Sequence, residues 1–482
     1  MEQRNFKPGE FVIEALTLVN AEGDSKNIKT HCTGFTLFES IFDKFVSAEL
    51  AIVDGDNLLR KYKICGQEYV RISVRGKEGV GEVSDKEFSI DKTFRVFKVS
   101  NNRRIDDKTQ SYVLHLCEPR NFFIQKQRIS KTFRGSYSSM ILSTMKEFGS
   151  MKDTEVDFWE STLPQNVQFI CPNWTVNRFI DYCVNNADRS VNAAWRNGYF
   201  FFQTINGGFR FMSVDEMFER EFPLSFNYYP KSASVDALDT PINSDGGLNS
   251  TILAYEKPQL FDTLRGQYSG AYAASTRVYN PLKKIEEEHH YDLGKTMKRG
   301  THLSGFPMVR LDEEEITLVP ENQLDPLVSP PSVPRDADFA PNKAFNSVVI
   351  EDFNMMHNYG EADDITLPEI FEGNKVIDSA KLERRALLEI LQQHKVIIQI
   401  PFRTDISVGT IVKLNIPEAE IKYPEGKIKN ELNDNRYLIT DLKFVGNPQN
   451  LSGVINMECV KESFAKDVAS YSPLETTIVG SL

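Results

Sequence analysis

The stretch Trp195–Met212, WRNGYFFFQTINGGFRFM, places four aromatic residues in a row at 199–202 beside an Asn-Gly-Gly sequence. A strand with one side in water alternates apolar and polar residues, but here aromatic side chains fall on both faces. The Asn-Gly-Gly sequence predicts a tight turn with positive φ angles, and Phe209 begins the returning strand. The sequence therefore predicts a hairpin that other parts of the chain cover on both sides.

Two helical patterns before this hairpin could provide that cover. Residues 136–148 and 176–187 carry apolar side chains at helical spacing, and each pattern follows residues that favour a helix start. The helix with Phe179 and Ile180 is predicted to cover one face of the hairpin. The first helix or a neighbouring barrel would then cover the other, which gives a compact α/β middle module at 135–222.

Strand patterns dominate the rest of the chain. Short segments rich in β-branched and aromatic residues occur between 11 and 118, and again between 395 and 464. Their spacing is typical of antiparallel barrels or sandwiches. A helical pattern at 379–394 precedes the second group. We therefore predict an α+β, mainly β fold with two antiparallel, tube-like β-barrels and an inserted helix-plus-hairpin module.

Charge and proline content set the predicted boundaries. Residues 283–300 form a charge run, and 326–341 form a proline-rich connector that does not suit a central strand. The predicted units are a first barrel at 1–134, the middle module at 135–222, the start of a second barrel at 223–250, an irregular insertion or linker at 251–344, the second barrel with one helix at 345–465, and a C-terminal tail at 466–482.

Composition excludes several classes of protein. The net charge of -12 argues against a general phosphate-binding surface, because affinity for nucleic acid depends on clustered Lys and Arg. The sequence has neither an apolar run of membrane-spanning length nor an apolar signal core, so synthesis in the cytoplasm without membrane insertion is expected. The 6 cysteines contain no CxxC pair and are predicted to be reduced thiols in cores.

A search for catalytic motifs finds little. The glycines of 75–83 fit neither a dinucleotide fingerprint nor a phosphate loop, and no nucleophile elbow is present. The sequence EEEHH at 286–290, with His302, is the one candidate metal cluster, and a solvated charge run is the preferred interpretation. With 68 carboxylates, glycosidase chemistry is not excluded by motif. We predict no catalytic residue, no metal and no cofactor.

One segment of the first β unit is more specific. The run 39–74 has a strand ending in Asp, a short helical link, a Gly-x-Glu turn and a further strand. The residues that carry this pattern are Ala51, Ile52, Val53, Asp54, Leu58, Leu59, Gly66, Glu68, Val70 and Ile72. The run resembles the first barrel of baseplate (tail) hub proteins of contractile-tailed bacteriophages.

Other segments resemble the same family in the same order. Residues 173–184 and 199–217 are similar to the middle module of these hubs and of the N-terminal hub part of VgrG spike proteins, where a Trp-led helix precedes an aromatic hairpin. Residues 266–281 are similar to a connecting region, and 436–460 to the closing hairpin of the second barrel. The resemblance spans most of residues 8–465.

This resemblance implies a structural role. The chain would be a non-enzymatic hub in the virion tail baseplate, a homotrimer that joins the tail tube or tube-adaptor protein to the central spike and leaves a channel through which DNA passes. Tape-measure and baseplate wedge proteins would be further partners. The residues assigned to turns or cores are Asp54, Gly66, Glu68, Trp174, Phe200, Phe201 and Gly409.

Two alternatives come from other classes. One is a cell-wall-degrading glycosidase of the tail, and the other is a VgrG-like secretion spike component, which normally continues into a β-helical needle that is not seen here. For the hub, strand edges of one subunit would meet those of its neighbour in a ring. Candidate edges are the segments SAELAIV at 47–53 and GTIVKLNIP at 409–417.

Overall fold

The structure is a computed structural model. It describes residues 9–76, 89–189, 193–220, 224–228, 250–280, 284–304, 306–307, 346–350, 355–358, 375–416 and 436–464. In these residues the fold is mainly β, as predicted, and its largest element is a 14-stranded sheet. The proline-rich part of the predicted insertion, the C-terminal tail and most of 223–250 lie outside the described residues.

The first part of the large sheet is an antiparallel run near the N-terminus. Its elements are β1 (Phe11–Val19), β2 (Ser25–Asn27), β3 (Cys32–Ser40), β4 (Ser47–Asp54), α1 (Leu58–Lys61), β5 (Tyr69–Gly76), β6 (Ser89–Arg104) and β7 (Gln110–Cys117). The strands are neighbours in the order β3, β4, β7, β6, β5, β1, β2. Along β4, Ala48, Leu50 and Ile52 are buried and the residues between them are not, so one face packs on a core.

The middle of the chain, residues 119–219, contains helices and short strands. Its elements are α2 (Pro119–Ile124), β8 (Arg128–Ile129), β9 (Thr132–Gly135), α3 (Tyr137–Phe148), β10 (Val156–Trp159), β11 (Asn166–Ile170), β12 (Trp174–Thr175), α4 (Val176–Asn186), β13 (Tyr199–Gln203), β14 (Phe209–Ser213) and α5 (Val214–Glu219). Ser136 and Thr175 cap α3 and α4 through their side chains, which satisfies backbone N–H groups of the first turn. Both predicted helices are therefore confirmed.

The second part of the large sheet uses strands from distant parts of the chain. These are β15 (Ser225–Tyr228), β16 (Thr251–Ile252), β17 (Ala254–Gln259), β23 (Lys395–Pro401), β24 (Ile411–Asn415), β25 (Arg436–Asn447) and β26 (Ser452–Val460). Strand β25 pairs with β24 near Leu438, with β3 near Phe444, and with β26 along most of its length. It thus belongs to both parts of the sheet.

Further backbone hydrogen bonds join strands that are distant along this path. The N–H of Phe11 donates to the carbonyl of Leu451 (3.1 Å), and the N–H of Gly453 donates to the carbonyl of Gly9 (3.0 Å). These two bonds link the start of β1 to the start of β26. The N–H of Leu253 donates to Gln399 (2.7 Å), so the segment that runs from β16 into β17 is bonded to β15 and to β23.

The predicted edge strands are wrong. Strand β4, the SAELAIV segment, lies between β3 and β7, and β24, the GTIVKLNIP segment, lies between β15 and β25. Local composition indicated strands correctly. Position within a sheet depends on which other strands pair with them, and that is not a local property.

The aromatic strand β13 is buried on both faces, as predicted. Phe200 and Phe202 face the core of the large sheet. Tyr199 and Phe201 face a second core that α3 and α4 enclose together with Phe179. The hairpin therefore lies between two cores and connects the module to the sheet.

The prediction that the glycines of the hairpin turn have positive φ angles is wrong. Neither Gly207 nor Gly208 is among the residues with positive φ. A side chain at Gly208 would overlap the carbonyl of Glu155, and one at Gly207 would lie 2.7 Å from the Thr204 hydroxyl. These glycines are needed because neighbouring chain passes close to the turn, and not because of left-handed backbone.

The segment 251–344 was predicted to be irregular, but its described residues 251–280, 284–304 and 306–307 are largely structured. Besides β16 and β17 it contains α6 (Thr263–Ser269), β18 (Ala273–Asn280), β19 (Ile285–Asp292), α7 (Leu293–Thr296) and β20 (Phe306–Pro307). Ala271, Tyr272 and Ala274 are buried in the same core as the helix near Leu387. Alanines provide much of this packing, and alanine gives a weak strand signal in sequence. The remaining elements are β21 (Asn346–Ile350), β22 (Met355–Asn358), α8 (Lys375–Leu391) and β27 (Ser463–Phe464).

Within the described ranges, no helix combines the length and the apolar character that crossing a membrane requires. Of the cysteines, 5 are buried and reduced as predicted, whereas Cys65 is exposed. The prediction that every thiol lies in a core is therefore wrong for Cys65, which precedes the turn at Gly66.

Candidate functional site

Asp54 lies at the end of β4 and is buried. Its carboxylate accepts hydrogen bonds from the backbone N–H groups of Asp56 (2.9 Å) and Leu58 (2.7 Å), and from the side chains of Gln110 (3.1 Å) and Tyr112 (3.3 Å). It therefore links the end of β4 to α1 and β7.

Glu68 is also buried, just before β5. Its carboxylate accepts from three consecutive backbone N–H groups, at Cys65 (2.8 Å), Gly66 (2.8 Å) and Gln67 (3.1 Å). Gly66 has a φ of 96°, a left-handed conformation that favours glycine. The Gly-x-Glu sequence thus forms a carboxylate-bound turn.

The other predicted residues lie in and around the middle module. Trp174 is half-buried and its ring centroid lies 5.5 Å from that of Phe169. Phe200 and Phe201 are buried on opposite faces of β13. Gly409 has a φ of 75°, and a side chain there would lie 2.9 Å from the Phe202 ring. The predicted residues are therefore spread over several turns and cores and do not converge on one site.

Glu39 was not singled out from the sequence, although it joins three elements. Its carboxylate accepts from the backbone N–H of Ile205 (2.9 Å) in the hairpin turn and of Val408 (2.8 Å) in the loop before β24. Burial raises the pKa of Glu39 to about 7, although both hydrogen bonds and the charge of Arg210 oppose the shift. The sequence did contain one indication that Glu39 is buried. Alternate residues of a strand face the same side, and Glu39 lies two residues after buried Leu37 on β3.

Replacing Glu39 by glutamine should lower the free energy of unfolding by about 1–3 kcal/mol, because an amide offers one acceptor to two buried N–H groups. Denaturant unfolding followed by tryptophan fluorescence measures the loss. The matched control is Glu49→Gln on β4, where the side chain is 43% exposed, and its effect should stay within about 0.5 kcal/mol.

The same variant tests the titration of Glu39. Its pKa is raised from 4.5 to about 7 on folding, so the folded state binds more protons and stability should fall as pH rises from 4.5 to 7. The slope in this window should be smaller for Glu39→Gln than for the wild type. Equal slopes would contradict the assignment.

A polar cavity of about 660 Å³ lies where β6, the start of α2 and the β13–β14 turn meet. Its charged lining residues are Asp91, Lys92, Glu118, Arg120, Glu155 and Asp157. The Lys92 ammonium donates to the carbonyl of Gly207 (3.0 Å). Burial lowers the pKa of Lys92, and neighbouring carboxylates oppose that shift. The cavity therefore sits on the same junction as Glu39.

Two carboxyl groups in this cavity have pKa values shifted in opposite directions, a pattern found in glycosidases. Burial raises the pKa of Glu118. For Glu155 burial acts in the same direction, but hydrogen bonds from the Lys152 backbone and from Arg120 outweigh it, so the pKa is lowered. Arg120 lies between the two carboxylates, 3.0 Å from Glu118 and 2.5 Å from Glu155. The guanidinium fills the space that a scissile glycosidic bond would need, so the group is better described as an ion-pair bridge.

The candidate metal cluster is not assembled. Adjacent residues of a strand point to opposite faces, so His289 and His290 on β19 do not converge. His302 is buried and contacts Glu462 instead. Among the residues that the structure describes, no three His, Cys, Asp or Glu side chains are placed to hold a metal ion.

His302 and Glu462 form a buried ion pair. Nδ1 of His302 lies 3.0 Å from the carboxylate of Glu462, and Nε2 lies 2.9 Å from the carbonyl of Arg299. Both neighbours accept, so the ring donates from both nitrogens and is charged. Burial lowers the pKa of His302, but the charge and hydrogen bond of Glu462 outweigh it, so the pKa is raised. Glu462 also accepts from Nε1 of buried Trp195 (3.1 Å) and from the N–H of Leu303 (2.9 Å).

Two exposed surfaces carry large apolar side chains. The first, called the aromatic face, follows β17 and α6, and Leu264 and Tyr268 there are 81% and 87% exposed. Its members are Leu253, Tyr255, Leu260, Phe261, Leu264 and Tyr268. Such a concentration in one short segment is uncommon on a monomer and is typical of an interaction surface.

The second surface, called the basic face, is formed by β6 and α2. Phe97 is 51% exposed and Phe123 is 40% exposed. The Arg95 guanidinium lies 3.9 Å from the ring centroid of neighbouring Phe122, and the Lys126 ammonium lies 5.2 Å from it. The basic face consists of Arg95, Phe97, Lys98, Phe123 and Lys126.

No protein-family profile matches the chain, and no curated protein matches it in sequence. Solved structures do match. A tail protein from Neisseria meningitidis is 10% identical with a TM-score of 0.48, and the match covers 94% of this chain and 97% of that one. The 43 kDa tail protein of prophage MuSo2 from Shewanella oneidensis is 10% identical with a TM-score of 0.47, covering 93% and 98%.

A chain of the Francisella PdpA–VgrG complex is 8% identical with a TM-score of 0.43. That match covers 94% of this chain and 58% of the other. These solved structures are two tail proteins and a VgrG complex.

Proposed function

We propose that this protein is the structural hub of a phage tail baseplate, a homotrimeric ring that joins the tail tube to the central spike and leaves a channel for DNA passage. The proposal places it in the virion tail after synthesis in the host cytoplasm. The resemblance of run 39–74 and of the later segments to hub proteins supports it, because these segments occur in the same order over most of residues 8–465.

The observation that carries the proposal is the position of β25 and β26. Both strands belong to two sets: one contains β1 and β3–β7, the other β15–β17, β23 and β24. We propose that each set closes as a barrel, through the β1–β26 bonds and through the continuous 250–259 segment respectively. Two barrels with common strands would be held rigidly together, so three subunits would present six barrels to a sixfold tube.

The proposed domains follow from this arrangement. The first barrel would be formed mainly by 1–134 and the second by 223–250 and 345–465, with the module 135–222 between them. The insertion 251–344 would contribute its first strands, β16 and β17, to the second barrel. The module would be anchored to both by Glu39, the β13–β14 hairpin and Glu462. Such a body suits a mechanical role, in which a rigid ring transmits force between the tube and the spike.

The proposed partners follow from that position. The ring would bind its own copies, the tail tube or tube-adaptor protein and the central spike, with tape-measure and wedge proteins as further neighbours. Permanent contacts of this kind bury more than about 2,000 Å². DNA would be in contact only during transit, which agrees with a net charge of -12.

We expect the purified protein, alone or with its spike partner, to form particles of three times the 55.0 kDa chain mass in mass photometry. Electron micrographs of these particles should show a ring with a central opening and approximate sixfold symmetry on one side. A stable monomer under both conditions, or a closed dimer, would refute the hub.

A separate assay addresses the glycosidase alternative. The hub proposal predicts no clearing of a purified peptidoglycan suspension above the buffer rate, with the protein in excess. Clearing that a Glu118→Gln or Glu155→Gln substitution abolishes would instead establish an enzyme, since these two carboxyl groups show the opposed pKa shifts.

A further inference from the structure

The aromatic face and the basic face lie on different parts of the same chain. Strand β6 carries the basic face and β17 the aromatic face. The shortest path between them through the sheet crosses β5, β1, β26 and β23. At about 4.8 Å per strand this is roughly 24 Å, so the two faces are separate surfaces.

Each face is suited to a binding partner. The aromatic face presents six large side chains that are 38–87% exposed, with apolar area on the order of 600 Å². A standard-size interface buries about 800 Å² on each partner and a permanent one buries more, so the aromatic face would form the centre of a larger contact. The basic face is smaller and combines exposed Phe97 and Phe123 with cations.

The two faces are complementary to each other. The aromatic face includes exposed rings of Tyr255, Phe261 and Tyr268. Its segment also carries exposed Glu256 and half-buried Lys257 and Asp262. Arg265, in the same segment, is paired with Glu389 at 3.3 Å. Exposed Lys98 and Lys126 of the basic face would meet those rings through cation–π contacts, which strengthen when water is removed.

We propose that the aromatic face of one copy of this chain binds the basic face of the next copy. The contact is heterologous, because the two faces are different and lie on different parts of the chain. Repetition of such a contact closes a ring when the rotation allows it. The inference rests on the proposed homotrimer and assigns its interface to side chains.

The experiment uses two exposed double substitutions and a matched control. Leu264→Asp with Tyr268→Asp disrupts the aromatic face, and Lys98→Glu with Lys126→Glu disrupts the basic face. Ile170→Asp replaces a side chain that is 63% exposed outside both faces and serves as the control. Since all five side chains are exposed, circular dichroism and melting temperature should match the wild type.

Sedimentation velocity, in the condition where the wild type is trimeric, should show each double variant as a monomer and the control as a trimer. Each lost contact residue should weaken association by roughly 30-fold. An equimolar mixture of the two variants should give a 1:1 heterodimer, because one aromatic face and one basic face remain intact. A fluorescent label on one variant identifies the mixed species.

Two outcomes would overturn the inference while leaving the hub proposal standing. One is a trimer from either double variant alone. The other is two monomeric variants that do not combine when mixed, which would show that these faces bind something other than each other. A wild type that is monomeric with and without the spike protein would refute the homotrimer itself and this inference with it.

Discussion

Replacing Glu462 by alanine is expected to lower the free energy of unfolding by about 3–5 kcal/mol, the usual cost of removing one partner from a buried ion pair. The substitution leaves charged His302 without its carboxylate, and leaves Nε1 of Trp195 and the N–H of Leu303 without an acceptor. These groups are buried, so they cannot form replacement hydrogen bonds with water unless the core opens. Denaturant unfolding with tryptophan fluorescence gives the free energy.

The matched control is Glu458→Ala on β26. Its carboxylate pairs with Lys395 at 2.5 Å, but the two side chains are 24% and 27% exposed. Water therefore screens the pair and replaces lost hydrogen bonds, so the loss should be about 1 kcal/mol or less. Similar losses for the two variants would contradict the role given to Glu462.

The Glu462 effect should depend on pH. The pKa of His302 is raised above 6.5 on folding, so the folded state holds the proton more tightly than the unfolded chain. The contribution of the pair is therefore complete below pH 6.5 and is lost as pH rises through the higher folded value. The difference between wild type and Glu462→Ala should shrink accordingly, and a difference that grows with pH would refute the charge assigned to His302.

Gly446→Ala should be destabilising by about 1–3 kcal/mol, although alanine is normally the better residue within a strand. Gly446 lies on β25 opposite Phe35 of β3, and a side chain there would overlap the Phe35 ring. That ring is fixed by others: its centroid is 5.3 Å from that of Phe11 and 6.2 Å from that of Phe402. It has no room to move aside.

Two comparisons test this explanation. Gly34→Ala, on β3, places its new carbon 3.9 Å from the nearest atom and should be neutral or slightly stabilising. In a double-mutant cycle, Phe35→Leu should make Gly446→Ala less costly, with a coupling energy of about 0.5–3 kcal/mol. If the stability losses of Phe35→Leu and Gly446→Ala are simply additive, a clash with the Phe35 ring is not the cause of the Gly446→Ala effect.

Local patterns in the sequence were sufficient to identify most secondary structure. Alternation along 47–53 and helical spacing along 176–187 indicated β4 and α4, because both patterns involve residues within a few positions of one another. The double-sided burial of β13 also followed from consecutive aromatic residues. Elements built from small residues, such as β18, were missed because their apolar content is low.

The candidate site was less accessible from the sequence. The inward phase of Glu39 on β3 was visible, but nothing local indicated that its partners would be Ile205 and Val408. Glu462 was one of 68 acidic residues until the structure placed it against His302 and Trp195. The EEEHH sequence, interpreted as a solvated charge run, likewise shows that proximity in sequence does not mean proximity in space, because His302 contacts Glu462 and not this segment.

The sequence by itself indicated the main strands between 11 and 118 and between 395 and 464, the helices at 136–148 and 176–187, and the position of the buried hairpin, because these depend on short-range spacing of apolar residues. Only the tertiary structure decided that β25 belongs to two sets of strands and that β4 and β24 are interior strands. It also decided that the carboxylates of Glu39 and Glu462 hydrogen-bond to distant parts of the chain. Those features depend on residues far apart in the chain, 369 positions for Glu39 and Val408 and 267 for Trp195 and Glu462. A buried polar group needs a hydrogen-bond partner, and in a packed chain that partner can come from any part of the sequence. The partners of Glu39 and Glu462 are therefore defined only by the complete fold.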